Sequence, residues 1–252
     1  MLSSLRPIVW AASVLVVAAA TSVRAQADEI TLTAADGVKV FGTLSRAQGK
    51  SPPVLLLFHM AGSNRAEYAP IAPKLTAAGF TVLAIDQRSG GGNFGAKNRT
   101  VDALGRSTSY GEAVKDLEAA LAWAKANANG APVIVWGSSY SAALVFLLAA
   151  GHPKDVAGVL SFSPGEYLGG RALVQTAAAK VTVPVFITQA RDREEIVGAR
   201  TIFTAVAAVE KTQFIPEKSG VHGSSSLRDD ANQSGAGEYW TAVSAFLARF
   251  KK

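Results

Sequence analysis

Residues 133–144 read Val-Ile-Val-Trp-Gly-Ser-Ser-Tyr-Ser-Ala-Ala-Leu: an apolar strand that runs through Gly137-Ser138-Ser139-Tyr140-Ser141 into a helix. That pattern places Ser139 on a tight strand-to-helix turn, with small residues at both flanking positions because the backbones there leave little room for Cβ atoms. Such a turn exposes the Ser139 hydroxyl above the sheet and aims the first N–H groups of the helix at developing negative charge. The chemistry this permits is nucleophilic attack on a carbonyl, provided a base lies within reach. Ser141, between Ser139 and Ala143, is a second candidate. Gly137 before it and its place three residues past the strand favour Ser139. The chemistry-free alternative is a polar helix cap.

The partners for such a serine follow in chain order. A strand over Val183–Thr188 leads at once into Gln189-Ala190-Arg191-Asp192, and a later strand over Thr212–Ile215 leads into Ser219-Gly220-Val221-His222-Gly223. Nucleophile, acid and base therefore come as Ser139, Asp192 and His222, each just beyond the carboxyl end of a strand, where open α/β sheets place their sites. Glu194 and Glu195 are the alternative acids. Of the three histidines, His152 lies in a Gly-His-Pro-Lys surface turn, and His59 ends the run Leu55-Leu56-Leu57-Phe58 and opens a small-residue loop, Met60-Ala61-Gly62-Ser63. His59 reads as a residue that fixes this loop. The chain has no cysteine, which excludes a thiolate nucleophile, a Cys-ligated zinc and an iron–sulfur cluster. No His-Glu-x-x-His or similar spacing points to a metal, and no cofactor is expected.

The elements that must position these residues alternate along the chain as strands and amphipathic helices. Val54–Phe58, Thr81–Ile85, Val133–Trp136, Val156–Phe162 and Val183–Thr188 read as buried strands, which predicts a mostly parallel central sheet with helices on both faces. Asp36-Gly37 between Ile30–Thr33 and Val38–Leu44 predicts an opening antiparallel hairpin. Tyr110, Val114, Leu117, Leu121 and Ala124, and again Tyr239, Val243, Phe246, Leu247 and Phe250, recur at helical spacing and predict core-facing stripes. The Gly-rich segment Gln87–Ser109 is long enough to be a functional loop. Hydrophobic residues make up 49% of the 252 and charged ones 17%, so the chain folds. Its formal charge of +6 comes from scattered Lys and Arg without a basic stripe, so a nucleic-acid partner is not expected.

Residues 1–27 read as an export signal: a basic start through Arg6, the apolar run Ile8–Ala20, and small residues at Ala25-Gln26-Ala27. The run is too short to span a membrane before Thr21, Ser22 and Arg24 interrupt it. Cleavage after Ala27, with Ala25 as the second choice, leaves one domain over 28–252, exported to a periplasm or beyond the cell. Its oligomeric state is left open.

With these residues in place, the chain resembles the α/β-hydrolase family, and within it the small dienelactone-hydrolase-like branch. The resemblance runs from the Asp36-Gly37 hairpin to the C-terminal helix. It implies that the His59 loop corresponds to the family's His-Gly-x-Gly loop, and that the oxyanion donors are the backbone N–H groups of Ala61 and of Tyr140. Met60 stands at the family's usual Gly, so Met60 remains the alternative donor. Dienelactone hydrolases use a Cys nucleophile and this chain has none, so that activity is not carried over. Where the family inserts a lid after the strand ending at Phe162, only residues 163–182 precede the next strand, and no lid domain is expected. The implied activity is hydrolysis of small or short-acyl carboxylic esters through an acyl-enzyme. A peptidase or amidase, or a non-catalytic binding protein on the same fold, are the alternatives.

Overall fold

Eight short runs dominated by Val, Leu, Ile, Phe and Thr become the strands of a single sheet: β1 (Ala27–Thr33), β2 (Lys39–Ser45), β3 (Val54–Phe58), β4 (Thr81–Ile85), β5 (Val133–Ser138), β6 (Gly158–Phe162), β7 (Val185–Thr188) and β8 (Lys211–Phe214). The computed structural model describes residues 27–251; the export signal expected over 1–27 lies outside them except for Ala27. Strand order across the sheet is β1-β2-β4-β3-β5-β6-β7-β8. The β1–β2 hairpin turns at Asp36-Gly37, where Gly37 takes a φ of +84°. β2 also meets β4 antiparallel, and every other pairing is parallel.

Among the described residues seven α-helices connect and cover the strands: α1 (Ala72–Ala77), α2 (Arg99–Leu104), α3 (Val114–Asn127), α4 (Tyr140–Gly151), α5 (Leu173–Ala178), α6 (Arg193–Ala205) and α7 (Ala236–Leu247). Every residue of β3 to β7 is buried, as a sheet covered on both faces requires. The two-residue period of the strand divides β3 between two cores. Leu56 and Phe58 join Leu117, Leu121, Leu144 and Ile202 of α3, α4 and α6 on one face. Leu55 and Leu57 join Leu75, Tyr239, Val243 and Phe246 of α1 and α7 on the other. Among the described residues the chain between β6 and β7 carries only α5, and no lid domain is inserted there.

The segment Gln87–Ser109 is ordered and carries α2. Asn98 caps that helix by accepting the Val101 N–H at 2.9 Å, and Asn64 pins the segment by donating to the carbonyls of Gly91, Asn93 and Ala96. Arg88 is buried between Asp116 of α3 and Asp36 of the hairpin turn, at 2.7 and 2.6 Å, which ties the edge of the sheet to its body. Tyr110 does not join the core with the rest of its stripe. It is 38% exposed and stacks on Tyr140 at a ring-centroid distance of 4.4 Å.

Candidate active site

β5 ends and α4 begins with only Ser139 between them, and that residue absorbs the whole change of direction. Its backbone has a positive φ, with φ 59° and ψ −121°, a conformation that costs a non-glycine residue about 1–3 kcal/mol and persists only where its surroundings enforce it. They do so here. The Ser139 N–H donates to the Phe162 carbonyl of β6 at 2.8 Å. A Cβ at Gly137 would collide with the carbonyl of Ser141, so only glycine lets the first turn of α4 fold back over the strand. Ser141, the other candidate nucleophile, is fully buried. Its hydroxyl donates to the His59 carbonyl at 2.6 Å and accepts from Gln87 Nε2 at 2.7 Å, so it braces the turn.

His222, in the loop after β8, brings Nε2 to 2.7 Å from Ser139 Oγ. Its Nδ1 lies 2.6 Å from Glu195 Oε1, not from Asp192. The expectation that Asp192 supplies the acid is therefore corrected: Asp192 is exposed at the N-cap of α6 and accepts the Glu195 N–H at 2.9 Å. Three residues further on, and one methylene longer, Glu195 points back toward the strand ends. Its second oxygen accepts from Ser163 Oγ at 2.6 Å and from the Ala190 N–H at 2.9 Å. Ser163 Oγ in turn accepts the Gly223 N–H at 2.9 Å, so one hydroxyl links Glu195 to the loop that carries His222. Glu194 is exposed.

The electrostatics follow from these contacts. Burial pushes the Glu195 carboxyl up, but the hydrogen bonds from His222, Ser163 and Ala190 outweigh it and hold its pKa below the usual value. The bond to Glu195 raises the His222 pKa against the opposing effect of burial. His59 behaves in the opposite way. It is completely buried without a carboxylate beside it, and burial lowers its pKa to about 4. The neutral ring donates from Nδ1 to the Met60 carbonyl at 2.8 Å and accepts the Gln87 N–H at Nε2 at 2.9 Å, which fixes the loop it opens.

Met60 and Ala61, the two candidate donors in that loop, differ in what their N–H groups already do. The Met60 N–H donates to Glu67 Oε2 at 2.7 Å. The Ala61 N–H has no partner among the described residues, and the Tyr140 N–H stands at the first position of α4, where helix geometry leaves it unpaired. A cleft of about 470 Å³ opens between Thr108–Gly111 and Tyr167–Gly169, and Tyr110 on its wall is the ring that stacks on Tyr140. Among the described residues no three His, Cys, Asp or Glu side chains converge as metal ligands do, and no helix is long and apolar enough to cross a membrane.

Sequence reasoning alone passed over Glu67, and it named Ser163 only within a loop, Ser163–Tyr167, that could line the pocket. It held Glu195 only as an alternative, although Asp192-x-x-Glu195 is the spacing of a helix-capping box, in which the first residue caps and the fourth turns back.

Known proteins place this geometry in context. Residues 49–188 match the family described as "Serine aminopeptidase, S33". The chain is similar in structure to a dienelactone hydrolase from Anabaena variabilis, with a TM-score of 0.72 and 18% identity over 91% of this chain and 100% of the other. An esterase of Pyrococcus furiosus aligns with a TM-score of 0.67 and 19% identity over 90% and 93% of the two chains. A cold-adapted esterase from an Arctic intertidal metagenomic library gives 0.67 and 21% identity over 92% and 96%. No curated protein matches the chain in sequence.

Proposed function

The chain belongs to the family described as serine aminopeptidase, S33, and is a hydrolase of the α/β-hydrolase fold; from that premise we propose that it cleaves carboxylic esters of small or short-acyl substrates through a serine acyl-enzyme. The observation that carries this reading is the continuous hydrogen-bonded line Ser139 Oγ to His222 Nε2 at 2.7 Å and His222 Nδ1 to Glu195 Oε1 at 2.6 Å.

In this mechanism neutral His222 takes the Ser139 proton as Oγ attacks the ester carbonyl. The imidazolium that forms is paired with Glu195, and the oxyanion accepts from the N–H groups of Ala61 and Tyr140. Collapse expels the alcohol, which leaves with the proton from His222. Water then enters, gives its proton to the same ring and attacks the acyl group, and Ser139 is released with its proton returned.

The family's description favours one rival, an aminopeptidase on the same scaffold. A fluorophosphonate probe followed by a panel of esters, anilides and peptides separates the readings. The ester reading requires labelling at Ser139 and turnover of esters well above anilides and peptides. Ser139→Ala is expected to remove labelling and to lower kcat by roughly 10⁴-fold or more while the thermal transition stays in place. Ser141→Ala losing activity while Ser139→Ala kept it would overturn the assignment.

The proposal extends to residues 1–27 as a cleaved export signal and to a periplasmic or extracellular place for a single domain over 28–252. N-terminal sequencing of the exported protein, expected to begin at Asp28 or Gln26, tests it.

A further inference from the structure

Directly beneath the oxyanion loop lies a carboxyl group that the mechanism above does not use. Glu67, in the short turn Arg65–Tyr68, is completely buried. Its Oε2 accepts the Met60 N–H at 2.7 Å, and its Oε1 accepts Ser138 Oγ at 2.6 Å. Ser138 Oγ accepts the Ser224 N–H at 2.8 Å, two residues after His222. One carboxylate and one hydroxyl thus join three pieces of chain: the loop with Ala61, the residue before Ser139, and the loop with His222. The turn that carries Glu67 is itself fixed, because Asn64 caps it by accepting the Ala66 N–H at 2.9 Å.

We propose that Glu67 is a positioning residue for the hydrolytic reaction: its carboxylate sets the oxyanion loop and the His222 loop against the Ser139 turn. The inference rests on the serine-hydrolase reading above. The donor count explains why the ionised form is needed. Two donors, the Met60 N–H and the Ser138 O–H, fill two carboxylate oxygens. A proton on Oε1 would have to donate to Ser138 Oγ, and the Ser138 proton would then be left without an acceptor in a buried site, a cost of about 1–3 kcal/mol.

Burial opposes the charge. It raises the Glu67 pKa to about 7 against the lowering effects of Ser138 and Met60. The other groups facing it are Arg228, whose Nη1 donates to the Glu67 carbonyl at 2.9 Å, the His222 ring, and the phenols of Tyr68 and Tyr140. Arg228 and His222, when charged, both favour the carboxylate. Glu67 therefore gains its proton as the pH falls through about 7, and His222, raised above its ordinary value by Glu195, gains its own as the pH falls. Below neutrality the fall in kcat/KM has two causes: loss of the base and loosening of the loops.

The test is the pH profile of ester turnover by the whole protein, its glutamine variant E67Q and a second variant, S138A. Wild type is expected to label at Ser139 with a fluorophosphonate and to lose kcat/KM below neutrality with a slope steeper than one proton. E67Q is expected to lower kcat by on the order of 10- to 100-fold with KM within about 3-fold, since misplaced groups act in the transition state. Its acid limb should follow a single proton. S138A removes a bond that holds the Glu67 pKa down, so its acid limb is expected to move to higher pH. A wild type that does not label overturns the hydrolase reading and this inference with it. A wild type that labels, with E67Q and S138A matching it in kcat and in profile, overturns the inference alone. If E67Q does not fold, S138A decides: an unshifted limb and wild-type kcat overturn the proposal.

Discussion

Asp192 and Glu195 share one turn of α6 and do different work because of where each stands in it. The N-cap residue spends its carboxylate on the Glu195 N–H, while the residue three further on reaches back over the turn to His222. Glu195→Gln is therefore expected to lower kcat by roughly 10³- to 10⁴-fold with KM little changed, because an amide neither pairs the imidazolium nor enforces its tautomer. Asp192→Asn is expected to keep near-wild-type kcat, and Asp192→Ala to lose only about 1 kcal/mol of stability as a lost cap. The pH dependence follows in sign. Glu195 raises the His222 pKa, and the base works only when neutral, so the acid limb of wild type lies above the ordinary histidine value. Glu195→Gln removes the largest cause of that shift and should move the His222 part of the limb to lower pH, leaving the Glu67 part in place. Asp192→Asn losing as much as Glu195→Gln was expected to would return the acid to Asp192. At this scale the sequence shows the order of serine, acid and histidine, because each follows a strand. It does not show which of two carboxylates on one turn bends inward, since that depends on the cap.

The turn between β5 and α4 is the element on which the site stands, and its critical residue carries no functional group. Any side chain at 137 meets backbone rather than a flexible side chain, so the helix must move away from the strand and Ser139 with it. Gly137→Ala is expected to lower stability by about 1–3 kcal/mol or more, read from the urea midpoint, and to lower kcat more than KM. A variant with unchanged kcat would show that the turn tolerates a Cβ. The same backbone constraints explain where strand ends depart from the apolar runs. Val156 reads as strand but gives its N–H to His152 at the end of α4, so β6 starts at Gly158. Val183 precedes Pro184, which has no N–H for the ladder, and β7 starts at Val185. The apolar runs of β3 and β4 coincide with their observed spans, and Pro53 marks the start of β3 as Pro184 marks that of β7.

Across the whole molecule, the sequence shows that the sheet is mostly parallel and covered on both faces, because its central runs are apolar without alternation. The position of β4 between β2 and β3 is set by long-range pairing that no local pattern records. What the chain spends between its strands then limits what it can hydrolyse. The passage from β6 to β7 carries only the six-residue α5, and the cleft next to Tyr110 is walled by two short loops. An acyl tunnel would reward each added methylene by about 0.8 kcal/mol, roughly a 4-fold rise in kcat/KM per CH₂ until the tunnel is filled. A chain that leaves an open cleft stays in water and gains nothing beyond its first few carbons. In a series of p-nitrophenyl esters, kcat/KM is expected to peak between acetate and hexanoate and to fall toward palmitate. No jump in rate is expected as a long-chain ester passes its micelle concentration, since that behaviour requires a cover that an interface can open. A rate that climbed from butyrate to palmitate, or that rose abruptly at the interface, would mean that an acyl channel forms from the 108–111 and 167–169 loops when substrate binds.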